Sequence, residues 1–131
     1  MKPSSRTSCY DVGMTIFLAA DHAGFELKEK AKQFLAGLGY EIKDCGATQL
    51  NPDDDYPDFI RKAAEAVAND HEQSRGVVFG LSGQGEAMVA NRHKGIRAAV
   101  YYGEPADIIK LSREHNDANV LSIGARFVKK D

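Results

Sequence analysis

The chain has 131 residues, 17 Lys and Arg against 19 Asp and Glu, and a formal net charge of −2 at pH 7. With 43% hydrophobic and 27% charged residues, it suits one globular domain with one core and has no basic footprint for nucleic acid. No apolar run approaches the ~20 residues of a membrane span, and two cysteines, Cys9 and Cys45, make neither a disulfide scaffold nor a zinc array.

The opening residues, MKPSSRTSCYDVG, are polar and lack the apolar centre of a signal peptide. They read as a disordered extension over 1–13 ahead of one domain over 14–131. MTIFLAAD is a short apolar run and predicts a buried strand. FELKEKAKQFLAGLG predicts a helix, with Phe25, Leu27, Ala31, Phe34 and Leu35 on the core face and lysines and glutamates opposite. YEIKDCG is a second strand, and ATQLNPDDDYPD, with its two prolines, reads as a surface loop. Then come a helix (FIRKAAEAVAND), a strand (GVVFG), a helix beginning at or just before Glu86 (EAMVANRH), a strand (IRAAVYY), a helix (PADIIKLSREH) and a fifth strand (ANVLSIG). This β-α alternation predicts an α/β fold: a three-layer αβα Rossmann-like domain on a five-stranded parallel sheet. No fifth helix follows the last strand, so one face of the sheet is expected to lie partly open.

In such a sheet, ligands bind beyond the carboxyl ends of the strands. Polar residues gather at the predicted strand ends: Asp21 and His22 after the first, the loop GLSGQGE (80–86) after the third, His115 and Asn116 before the fifth, Arg126 after it. We group His115 and Asn116 with Asp21 and His22 at one sheet edge. The 80–86 loop has P-loop glycine spacing but delivers Glu86 and Ala87 where a P-loop has Lys and Ser or Thr, and Met88 breaks the G-x-G-x-x-G pattern. Glu86 could simply complement the helix dipole. Its other reading is chemical: a carboxylate base beside backbone amides supplies both groups needed to move a proton next to a carbonyl. A helix start weakens such a base, and partial burial would have to oppose that. The histidines lack H-E-x-x-H or similar spacing, so no metal site is expected. Cys45 reads as a packing residue.

AADHAGFELK, DYPDF, GVVFGLSGQGEAMVANRHKGIRAAV and SREHNDANVLSIGAR, in that order, resemble type B ribose-5-phosphate isomerase, within the superfamily that includes galactose-6-phosphate isomerase subunits. The resemblance runs from Met14 to about Val128. It implies a Rossmann-like homodimer, in some cases a tetramer, that interconverts ribose 5-phosphate and ribulose 5-phosphate through an enediolate, without metal or cofactor. In one branch the base is a cysteine at the position of Gly80; in the other it is a glutamate matching Glu86. Ser82 and the amides of Gly83, Gln84 and Gly85 match the anion hole. His115 matches the group that opens the sugar ring, with Asp21 holding ring and hydroxyl oxygens and Asn116 a hydroxyl. His22 and Arg126 match positions near the phosphate, and Tyr56 one lining the pocket. The family's C-terminal helix and basic tail are not in this sequence. A six-carbon sugar phosphate, or a sugar-phosphate-binding domain without catalysis, are the alternatives. The expected setting is a cytoplasmic protein that binds neither nucleic acid nor membrane.

Overall fold

The computed structural model describes residues 14–46, 56–70, 72–103 and 105–128, without the side chains of His22, Tyr56 and Pro57. The predicted 1–13 extension lies outside them. Strands β1 (Thr15–Ala20), β2 (Glu41–Asp44), β3 (Ser74–Gly80), β4 (Ala98–Tyr101) and β5 (Val120–Gly124) alternate with helices α1 (Phe25–Gly37), α2 (Tyr56–Asn69), α3 (Gln84–Asn91) and α4 (Asp107–Asn116). All strand pairs are parallel, in the order β2-β1-β3-β5-β4. The fold class is as expected. No described helix is long and apolar enough to cross a membrane.

Burial on both faces explains the apolar strands. On one face Ala19, Val78 and Val120 pack against Ile60, Ala63, Ala64 and Val67 of α2 and Ala90 of α3. On the other, Leu18, Ala20 and Phe79 meet Leu27, Ala31 and Leu35 of α1. Partly buried Cys45 packs at the first of these clusters, as its packing role requires.

Three details differ from the sequence reading. Phe34 is 67% exposed and Lys28 is wholly buried. The inward stripe runs from buried Gly24, just before α1, through buried Lys28 to partly buried Ala31 and Leu35, at i, i+4, i+7 and i+11, which turns position 34 outward. The Lys28 ammonium lies 5.3 Å from the Phe25 ring centre and bonds the Asp44 carboxylate at 2.5 Å, which also takes Lys32 at 3.0 Å. Second, α2 starts at Tyr56, inside the stretch read as loop. Pro57 is tolerated there because first-turn N–H groups have no helical partner to lose. Third, α4 buries no residue fully, and Ile108 and Leu111 are exposed. Beside it a groove of about 220 Å³ runs over Val77, Ile109, Val120 and Leu121, and among the described residues no helix follows β5. The partly open face is there.

Candidate active site

The chain leaves β1 towards β2 on one side, while β3 leads towards β5 and β4 on the other. A crevice therefore opens between the carboxyl ends of β1 and β3, the switch point of an open sheet. Asp21 stands at the first end. Its Oδ1 accepts the N–H groups of Ala23 (2.9 Å) and Gly24 (3.1 Å) and caps a single 3-10 turn, His22–Gly24. That turn sits tight on the sheet: a Cβ on Gly24 would come within 2.6 Å of the Phe79 backbone. Only glycine permits the approach.

The 80–86 loop stands at the second end. Gly83 has φ +82°, a left-handed conformation that favours glycine. Its carbonyl accepts the Ser122 hydroxyl (2.6 Å) and the Ala87 N–H (3.0 Å). The loop rests on the end of β5 backbone against backbone, since a Cβ on Gly124 would lie 2.5 Å from the Ser82 carbonyl oxygen. Ala125 and Arg126 donate their N–H groups to the Gly80 and Leu81 carbonyls at 2.7 and 3.1 Å. Ser122 was not singled out from the sequence; its place inside a buried strand, where a hydroxyl must find a partner, was the available signal.

Glu86, in the first turn of α3, is 4% exposed. Its carboxylate folds back onto the Cα of Gly80, so that a Cβ on Gly80 would overlap Cδ and both oxygens. Burial pushes its pKa up, opposed by its own N–H and followed by the upward effect of the Asp21 charge; the Gly83 N–H also lowers it. The net direction is upward. The contest between helix start and burial is thus won by burial, and a stronger base results.

The three amides of the expected anion hole divide their tasks. The Gly83 N–H acts on the Glu86 carboxylate by lowering its pKa. The Gln84 N–H donates to Ser82 Oγ at 3.1 Å. The Gly85 N–H has no acceptor among the described residues. One unfilled donor thus stands one residue before the buried carboxylate. The Gln84 side chain hydrogen-bonds the Tyr102 hydroxyl, and the Tyr102 ring meets Phe127 edge-on, 5.4 Å between centres. Tyr102 and Phe127, each just past a strand end, form a rim that sequence reasoning missed.

Arg126 is exposed at the same edge, and its guanidinium has no partner among the described residues. The backbones of His22 and Tyr56 stand there too, as the first residues of the turn after β1 and of the helix after β2; their side chains lie outside the described residues. His115 and Asn116 do not join them. They end α4, whose last turn leads into the start of β5. They therefore occupy the amino edge of the sheet, a β5 length of ~16 Å from the loop. Grouping them with Asp21 at one edge is corrected by the topology: residues just before a parallel strand lie at its amino end.

An open parallel sheet with a glycine loop and a buried carboxylate at its carboxyl edge is the arrangement in which α/β folds bind ligands. The chain belongs to the Ribose/Galactose Isomerase family, whose model matches residues 16–131. It is 43% identical over 115 residues to ribose-5-phosphate isomerase B of Mycobacterium tuberculosis, covering 88% of this chain and 69% of that protein. Among solved structures it is similar to ribose-5-phosphate isomerase B of Mycoplasma genitalium with bound ribulose-5-phosphate, at TM-score 0.85, 34% identity and coverage of 89% and 76%. The Clostridium thermocellum enzyme gives TM-score 0.83 at 44% identity, with coverage of 90% and 77%.

Proposed function

We propose that the chain is an aldose–ketose isomerase that interconverts ribose 5-phosphate and ribulose 5-phosphate, as a cytoplasmic homodimer, with Glu86 as the base. The observation that carries this reading is the buried Glu86 carboxylate beside the unfilled Gly85 amide. With the open-chain aldose in the crevice, its C1 oxygen takes the Gly85 N–H. Glu86 removes the C2 proton; the C–H electron pair becomes the C1–C2 double bond, and the carbonyl pair moves onto O1. The enediolate oxygen is held by a fixed donor that needs no rearrangement as charge appears. Glu86 then returns its proton to C1, the O2 proton passes to O1, and the ketose forms. Charge and protons balance, and the carboxylate is restored.

Asp21 has one carboxylate oxygen not engaged by its turn, available to accept a sugar hydroxyl. Ser82 Oγ accepts from Gln84, so its own proton is left for the substrate. The phosphate lies towards Arg126 and His22, with Tyr56 lining the pocket, because Arg126 is an exposed cation at this edge.

His115 and Asn116 cannot reach this crevice from within one protomer. In a two-fold dimer that sets the amino edge of one subunit near the carboxyl edge of the other, His115 opens the sugar ring in the partner's site and Asn116 holds a hydroxyl there. The test is subunit complementation. Glu86→Gln and His115→Ala dimers are each expected to be inactive in a coupled isomerase assay. After subunit exchange, one site in each mixed dimer regains both residues and activity returns. Exchange confirmed by mass spectrometry without recovery would refute the shared site; full activity of Glu86→Gln would refute the base. A panel of pentose and hexose phosphates checks the preferred sugar.

A further inference from the structure

Three carbonyls of the 80–86 loop accept hydrogen bonds from the end of β5. Two of these bonds come from main-chain N–H groups, those of Ala125 and Arg126, which every residue but proline carries. The third comes from a side chain. Ser122 is wholly buried, and its Oγ donates to the Gly83 carbonyl at 2.6 Å.

Packing does not ask for this hydroxyl. Ser122 lies on the Val120 face of β5, beside Val78 of β3, and both valines belong to the apolar cluster under α2 and α3. Alanine would fit there with no polar group to satisfy. Nor does the Gly83 carbonyl depend on it, because the Ala87 N–H already bonds that oxygen at 3.0 Å. A carbonyl with one partner is not an orphan. The second bond therefore adds direction rather than satisfaction.

What it directs is the peptide between Gly83 and Gln84. Gly83 has no side chain to restrict its own plane. The carbonyl of this peptide takes the Ser122 hydroxyl, and its N–H donates to Ser82 Oγ at 3.1 Å. The Ser82 bond is exposed, and water competes with it. The Ser122 bond is enclosed by protein. A donor on the carbonyl also polarises the amide and strengthens what its N–H gives. Ser122, the peptide and Ser82 thus form one chain from the inside of the sheet to the crevice.

We propose that Ser122 is a positioning residue for the isomerisation: through the Gly83–Gln84 peptide it holds Ser82 Oγ as an acceptor, so that the Ser82 proton is presented to the substrate. This role rests on the isomerase reading above.

The experiment measures kcat and KM on ribose 5-phosphate for Ser122→Ala, Ser82→Ala and the double variant, with urea titration to establish that each is folded. Losing a transition-state donor outright costs ~100-fold or more in rate, and loosening one costs less. Ser122→Ala is expected to lower kcat about tenfold with KM within about twofold, the mark of a contact made in the transition state. In the Ser82→Ala background the same change should cost less than about twofold, because the two residues act as one chain. If Ser122→Ala does not fold, Ser122→Cys keeps a side chain of similar shape with a weaker donor and carries the same comparison. A wild-type kcat, or an equal loss with and without Ser82, would overturn the proposal. Glu86→Gln, run beside them, separates it from the reading beneath. An inactive Glu86→Gln with an unaffected Ser122→Ala refutes the positioning role alone, and a fully active Glu86→Gln refutes the base instead.

Discussion

Gly80→Ala is the sharpest probe of the proposed base, because it adds one methyl and removes no functional group. Gly80 is a strand residue without positive φ, so the backbone accepts alanine. The new Cβ would stand well under 3.0 Å from Cδ and both oxygens of Glu86. Ordinary contact is ~3.5–4.0 Å, so the carboxylate must retreat by more than about 1 Å. It then leaves the position from which, on the proposed mechanism, it addresses C2. A misplacement of ~1 Å can cost ~100-fold in rate, or about 2.7 kcal/mol of transition-state stabilisation. Overpacking adds ~1–3 kcal/mol of lost stability, so circular dichroism must first establish that the variant is folded at the assay temperature. The assay is solvent deuterium incorporation at C1 and C2 of the sugar, read by NMR, which reports proton transfer apart from ring opening. Incorporation at the wild-type rate in Gly80→Ala would refute the placement of the reacting carboxylate against β3.

Other consequences follow from the same charges. The raised pKa of Glu86 places the acid limb of kcat/KM above the ordinary carboxylate range, and a pH–rate profile checks it. Because the folded state holds that proton more tightly than the unfolded chain, Glu86 makes stability fall as pH rises from its unfolded to its folded pKa. Glu86→Gln should therefore unfold at higher urea than wild type at pH 7, with the difference fading below the unfolded pKa. Lys28→Met removes the buried cation from Asp44 while Lys32 remains at 3.0 Å. The loss should fall at or below the low end of the ~3–5 kcal/mol for a broken buried pair, measured by urea titration. Asp44 feels burial upward, but the bonds from Lys28, the Gly46 N–H and Lys32 outweigh it and lower its pKa. Its contribution is present above the unfolded pKa and lost as pH falls through the folded one.

The layers and the strand sequence were legible because apolar runs and amphipathic periods are local. Gly80 to Glu86 stood out as a candidate site for a chemical reason: a carboxylate among glycines serves no ordinary phosphate loop. The burial of Glu86 was not legible, since it depends on Gly80 having no side chain to occupy the same space. Lys28 and Phe34 exchanged their expected places because the stripe of α1 is set by where Gly24 can approach Phe79, a contact 55 residues apart in the sequence. The edge assignment of His115 was within reach. A helix that returns to start a parallel strand must end at the amino edge, and that topology, applied to SREHND, separates it from Glu86 before any coordinates.

The seating of the loop on β5 bears on how such a site can change over generations. Ser82 and Gly124 meet through their main chains, and Gly83 adds a left-handed turn over the same strand end. No side chain lies between them to be exchanged for a larger or smaller one, so successive small mutations cannot retune the spacing of loop and strand. Divergence is channelled instead to exposed side chains such as Tyr102 and Phe127, which border the loop without setting its distance from the strand. The seating of the loop on the strand is inherited whole, and the exposed border is where variation can be tolerated.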